Sequence, residues 1–179
     1  MASRDYSIAL DISLSMGEPF SDMIPSKLHA AREAVAALAS RATARGYRVA
    51  ITLFHEKPVP LLPPTSDYKT IVRALADVGF TGEGSALGDG IVEAVKMLRG
   101  CRGEKVVVAV TDGGVTEGVP VRAAVLYAKY SGARLHIVLL NRRVEDSLRQ
   151  EVELANHPGA EIVVAESRQK LLAELLRLI

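Results

Sequence analysis

Two short segments carry oxygen-bearing side chains at a spacing that could hold a cation. One is Asp11-Ile12-Ser13-Leu14-Ser15, which follows the apolar run at 6–10. The other is Thr111-Asp112-Gly113-Gly114, which follows the apolar run at 106–110. Just past a strand, alternating polar residues can aim several oxygens at one point. Carboxylates and hydroxyls are hard oxygen donors of the kind magnesium prefers. Magnesium also keeps waters rather than demanding a full protein cage. Two carboxylates and a few hydroxyls therefore suit Mg2+, with Mn2+ as a substitute. The plain alternative is that Asp11 and Asp112 cap turns or helices while Ser13 and Ser15 are loop residues.

The elements that must position these segments alternate along the chain. Residues 6–10 read as a buried strand. Pro25 and Ser26 mark a helix start, and Leu28, Ala31, Val35, Leu38 and Ala42 recur at helical spacing until Gly46. Residues 48–54 form a second strand and 59–62 a short third one, close enough to pair as a hairpin. Pro58, Pro60, Pro63 and Pro64 confine that third strand to a sheet edge. Helices are predicted at 67–78, 87–98, 120–131, 144–155 and 166–178, and strands at 106–110, 135–140 and 161–164. The order predicts an α/β doubly wound, Rossmann-like fold. Its six-stranded sheet is mostly parallel, with one antiparallel edge strand and helices on both faces. In such sheets ligands lie beyond the carboxyl ends of the strands, near the point where strand order reverses.

At this level the motifs resemble a known family. Asp11-Ile-Ser13-Leu-Ser15 matches the D-x-S-x-S motif of von Willebrand factor type A (vWA) domains, the core of their metal-ion-dependent adhesion site (MIDAS). Gly84-Ser85-Ala86-Leu87-Gly88-Asp89-Gly90-Ile91 is similar to the family's G-G-T-x-L-G-D-A-L loop, and Ser85 stands where the family has Thr. Asp112 matches the Asp of the family's T-D-G. The three motifs occur in order, and the resemblance spans nearly the whole chain.

The resemblance implies that Ser13 and Ser15 bind the metal directly and that Asp11 and Asp112 act directly or through water. It implies that Ser85 enters or leaves the coordination shell as the site changes state, and that a partner's carboxylate completes the coordination. A bound cation would then draw an acidic partner to a cluster of acids. Ser85 keeps the Thr hydroxyl but rotates more freely. Thr81 is the alternative ligand if the loop registers differently. Glu83 replaces a usual Gly, either adding charge beside the cation or pointing into water.

Leu61-Leu62-Pro63-Pro64-Thr65 is similar to the A domain of magnesium-chelatase D-type subunits and of proteins that work with MoxR-type ATPases. That implies a ring-forming AAA+ ATPase as partner. The bland reading is an edge-strand exit and a helix cap. Leu171, Leu172, Leu175, Leu176 and Ile179 form an apolar stripe on the last helix. It suits packing on the sheet, and the resemblance adds that this helix slides when the site changes state.

Composition narrows the function classes. A length of 179 residues suits a single domain spanning 1–179. A net charge of +1 and 4% aromatic residues argue against nucleic-acid binding. Cys101, the only cysteine, excludes an internal disulfide and a Cys-based zinc site. No apolar stretch approaches a membrane span of about 20 residues. The N-terminus does not read as a signal peptide, so a cytoplasmic location is expected. Asn and Gln are scarce and Trp is absent, which leans toward a thermophilic source. A subunit or adaptor role is expected.

Enzyme readings fare worse. A strand-end aspartate with magnesium also describes haloacid-dehalogenase-like phosphohydrolases, the main alternative. Those need a second acid two residues on, where Ser13 stands. No P-loop pattern occurs, and Gly82, Gly84 and Gly88 have the wrong spacing for a dinucleotide fingerprint. His29, His55, His136 and His157 build no shared site, and no Ser–His nucleophile turn can be assembled. The expected function is metal-dependent protein–protein binding without catalysis. A scaffold with a vestigial site is the third possibility.

Overall fold

The chain runs β1 (Arg4–Asp11), a short 3-10 helix (Leu14–Gly17), α1 (Lys27–Ala44), β2 (Arg48–Phe54), β3 (Pro58–Thr65), α2 (Tyr68–Ala76), α3 (Leu87–Met97), β4 (Glu104–Thr111), α4 (Val121–Tyr130), β5 (Ala133–Leu139), α5 (Asp146–Leu154), β6 (Ala160–Val164) and α6 (Arg168–Leu176). This is the order in the computed structural model, which describes residues 3–179. The strands form one sheet in the order β3-β2-β1-β4-β5-β6. Every neighbouring pair is parallel except β2–β3. The expected mixed, doubly wound sheet is therefore present. Strand order reverses between β1 and β4, so the crevice of the fold lies where Asp11 and Asp112 end their strands.

Alternation along β1 sorts its side chains between two cores. Tyr6, Ile8 and Leu10 pack with α1, α2 and α6 on one face of the sheet. Ala9 packs with Phe54, Ala109 and α3 on the other. Asp11 lies two residues beyond Ala9 and Thr111 two beyond Ala109, so both side chains emerge on the α3 face. Ala9 and Ala109 are in register, and such small residues let α3 lie close to the sheet. The approach is tight at Gly90, where a Cβ would meet the Phe54 ring at 2.6 Å.

Three details differ from the sequence expectation. β3 extends to Pro58–Thr65 rather than 59–62. Its four prolines lack N–H donors, but an edge strand needs only one side, and the pairing with β2 absorbs two register shifts around Ile51. The polar stretch after Asp11, to which the sequence assigns no element, holds a short 3-10 helix. The apolar stripe of α6 is narrower than expected: Leu171 and Leu175 are buried, while Leu172 is exposed.

Several polar bonds tie down the end of the chain. The Tyr6 hydroxyl donates to the Leu178 carbonyl at 2.7 Å, and Arg45 donates to the Ile179 carbonyl at 2.5 Å. Arg168 pairs with Glu33, and Arg177 pairs with both Glu161 and Glu174. Among the described residues, no helix is long and apolar enough to cross a membrane.

Candidate functional site

Asp11 organises the crevice. Its Oδ1 accepts from the Ser13 amide at 2.9 Å, which bends the chain out of β1. Its Oδ2 accepts from the Thr111 hydroxyl at 2.6 Å and from the Ser85 hydroxyl at 3.1 Å. The Ser13 and Ser15 hydroxyls lie 3.2 Å apart. Ser15 and Asp112 line the same cavity. Asp11, Ser13, Ser15 and Ser85 thus form one hydrogen-bonded group, and Asp112 joins it across the cavity it shares with Ser15, so that three loops meet.

Backbone bonds hold those loops in place. Leu14 N donates to Gly82 O at 2.9 Å, and Thr81 N donates to Ile12 O at 2.7 Å. Ser85 N donates to the Thr116 hydroxyl at 2.9 Å, and Thr116 N returns a bond to Ser85 O at 3.1 Å. Gly82 sits at φ +80°, and a Cβ there would lie 2.9 Å from His55, so this turn requires glycine.

The two carboxylates differ electrically. Burial pushes the Asp11 carboxyl up, against hydrogen bonds from Thr111 and Ser13. The charge of Asp112 pushes in the same direction as burial. Burial also works against ionisation of Asp112, but the Ser15 hydroxyl and the Lys27 ammonium outweigh it and hold that carboxyl below its usual range. Lys27 Nζ donates to Asp112 Oδ2 at 2.9 Å. Beside this pair lies a cavity of about 300 Å³ whose lining includes Ser15, Lys27, Asp112, Asn141 and Glu145.

Thr81 and Glu83 stay outside the group. Both are exposed, and the Thr81 amide is engaged with Ile12. Sequence reasoning passed over Thr111, Thr116 and Lys27. Thr111 was detectable, because it continues the Ala109 face one residue before Asp112. Lys27 left a fainter signal: a lysine in the first turn of a helix, the end where a cation is disfavoured. Thr116 left none, since its role depends on how two loops meet.

His29 lies beside Glu33, His136 beside Glu161, His157 on the Ala133 carbonyl and His55 against Gly82. The stretch at 61–65 ends β3; the Thr65 hydroxyl accepts from Asp67 N at 3.1 Å, and the Asp67 carboxylate caps α2 by accepting from Lys69 N.

Among the described residues, no three His, Cys, Asp or Glu side chains converge. Any cation here would therefore draw on hydroxyls as well as carboxylates. The donors suit a hard dication, and the Lys27 ammonium is itself a cation seated on this cluster. Nothing in the arrangement favours phosphohydrolase chemistry. Asp11 is fully buried and already accepts three hydrogen bonds, which makes it a poor nucleophile.

Residues 7–115 match the family described as von Willebrand factor type A domain. Among curated proteins, none matches the sequence significantly. Solved structures share the fold. The conserved hypothetical protein BatB from Bacteroides thetaiotaomicron is 22% identical with a TM-score of 0.78, the match covering 99% of this chain and 97% of that one. A von Willebrand factor type A protein from Catenulispora acidiphila is 16% identical with a TM-score of 0.80, covering 99% and 42%. The VWA domain of SpRpn10 is 19% identical with a TM-score of 0.74, covering 100% and 96%.

Proposed function

Because this chain belongs to the von Willebrand factor type A family, whose domains mediate protein–protein interactions, we propose that it binds a partner protein through a divalent cation held by Asp11, Ser13, Ser15, Ser85 and Asp112. The observation that carries this reading is the convergence of five oxygen-bearing side chains at the switch point of the sheet, four of them hydrogen-bonded together and Asp112 lining one cavity with Ser15. Magnesium, or manganese in its place, suits this donor set. When bound, the cation supplies positive charge that attracts a carboxylate of the partner.

The protein's own residues do the rest. Asp11 fixes the Ser13 backbone and orients Ser85 and Thr111. Ser13 and Ser15 present paired hydroxyls, with Ser15 lining the cavity, and Asp112 supplies the second negative charge. Leu14, Phe80 and Val115 are exposed on the same loops, and they offer apolar contact to residues flanking the acidic one. No catalytic role is assigned. A partner belonging to a ring-forming ATPase assembly fits the same reading and rests on the resemblance at 61–65 alone.

Titration calorimetry of the purified chain with Mg2+ and Mn2+ tests the proposal. Saturable binding is expected, and Asp11→Ala and Ser13→Ala should remove it. Peptides selected on the protein in Mg2+ should carry Asp or Glu and should release in EDTA. No binding of either ion at millimolar concentration would defeat the reading. So would phosphate-ester turnover that disappears in Asp11→Ala.

A further inference from the structure

Lys27 is placed with more care than a surface lysine needs. It opens α1 behind the Ser26 cap, where the helix dipole disfavours positive charge. It is only 9% exposed, and lysines are rarely buried without a partner. Its backbone amide donates to Glu18 O at 2.9 Å, which ties the start of α1 to the loop that carries Ser15. Its ammonium then reaches Asp112, which comes from the other side of the crevice. Local preference supports none of this, so the tertiary arrangement holds a positive charge against one carboxylate of the candidate metal group.

We propose that Lys27 is a tethered cation that occupies the metal-free site and must leave Asp112 when a dication binds. The inference rests on the metal reading above and adds what sets the affinity. A dication sharing Asp112 with the ammonium would meet it as a like charge in a partly buried setting, where screening is weak. Lysine suits the role because its charge rides on a flexible four-carbon stem. The adjoining cavity gives the stem room to swing, and Glu145 in its lining offers a second carboxylate to receive the ammonium. The consequence is a site whose charge is partly compensated without metal, and whose metal affinity is lower than its oxygen donors alone would give.

The test is Mn2+ affinity, read by calorimetry and by the electron paramagnetic resonance of free Mn2+. The variants are Lys27→Met, Lys27→Gln and Lys27→Arg, each checked for folding by circular dichroism. Met and Gln should each tighten Mn2+ binding at least about tenfold, a size typical of one lost charge coupling. Arg should leave the affinity near wild type, because it keeps the charge. Adding Asp11→Ala to Lys27→Met should abolish the gain. In metal-free buffer, Lys27→Met should melt below wild type and recover on adding Mn2+.

Unchanged or weaker Mn2+ binding in both neutral variants overturns the tethered cation and leaves the metal site standing. Absence of binding in the wild type and every variant overturns the metal reading, and Lys27 falls with it.

Discussion

Strand β1 carries a buried aspartate at each end, and the two sit in opposite electrical settings. Asp5 receives both the Nε and the Nη2 of Arg48 at 2.9 Å, and that guanidinium holds its carboxyl below the usual range despite burial. Asp11 is at least as buried, but its recorded donors are the neutral groups of Ser13, Ser85 and Thr111, and burial pushes its carboxyl up. The contrast extends across the sheet. Around the Asp5 end, Glu104 pairs with Arg4 and Arg134. Around the Asp11 end, one carboxylate has neutral donors alone and the other has a single lysine. A saturated charge cluster serves the scaffold, whereas an undercompensated one at a crevice is where a ligand can gain binding energy.

The sharpest way to break this comparison is to remove each aspartate in turn. Asp11→Ala should weaken Mn2+ binding by at least about a hundredfold. It should also lower the metal-free melting temperature, because the Ser13 amide and the Ser85 and Thr111 hydroxyls lose their acceptor. Calorimetry and a thermal melt read both halves. Asp5→Ala should separate them. It should leave Mn2+ binding intact and cost about 2 kcal/mol in charge-assisted hydrogen bonds, which lowers the melting temperature by about 4–8 °C for a chain of this size. If Asp5→Ala abolished metal binding, the two ends would not be separable.

A smaller effect concerns pH. Burial lowers the His136 imidazole from its ordinary 6.5, even though Glu161 faces it at 2.7 Å, and the charges of Arg134 and Arg177 add to the lowering. The folded state therefore binds this proton less readily than the unfolded chain. Stability from this group is full above about pH 6.5 and declines as pH falls toward the lowered value, by at most about 1.4 kcal/mol per pH unit. Denaturant melts at pH 7 and pH 5.5 should show the decline, and His136→Gln should flatten it. A steeper decline in the variant would reverse the assignment.

The smallest effect is expected from Ser85→Thr. The added methyl restricts the side-chain torsion, so Mn2+ affinity should rise about threefold without a change in fold. A loss would mean that the buried pocket around Ser85 has no room for the methyl group.

Asp11, Ser13, Ser15 and Asp112 could be read before the fold was known because they follow strands, whereas Ser85, in the loop before α3, came from the resemblance to the vWA loop. The apolar runs at 6–10 and 106–110 mark buried strands, and the polar residues after them must then face the crevice. The edge position of β3 followed from its prolines, although its length did not. An edge strand tolerates more proline than local propensity suggests, because only one side pairs. Thr116 was illegible and Lys27 left only its odd place at a helix start, for a different reason. Each acts on a residue far away in sequence: Thr116 on Ser85, and Lys27 on Asp112.

The sequence by itself therefore determined the alternating α/β order, the mixed sheet and the two strand-end segments at its switch point, since periodicity and strand-end chemistry are local properties. Only the tertiary structure decided the charge state of that meeting place. It assigned a guanidinium to Asp5, neutral donors to Asp11 and an ammonium to Asp112. Electrostatic environment depends on burial and on which distant side chains arrive within about 3–4 Å, and no local pattern encodes either.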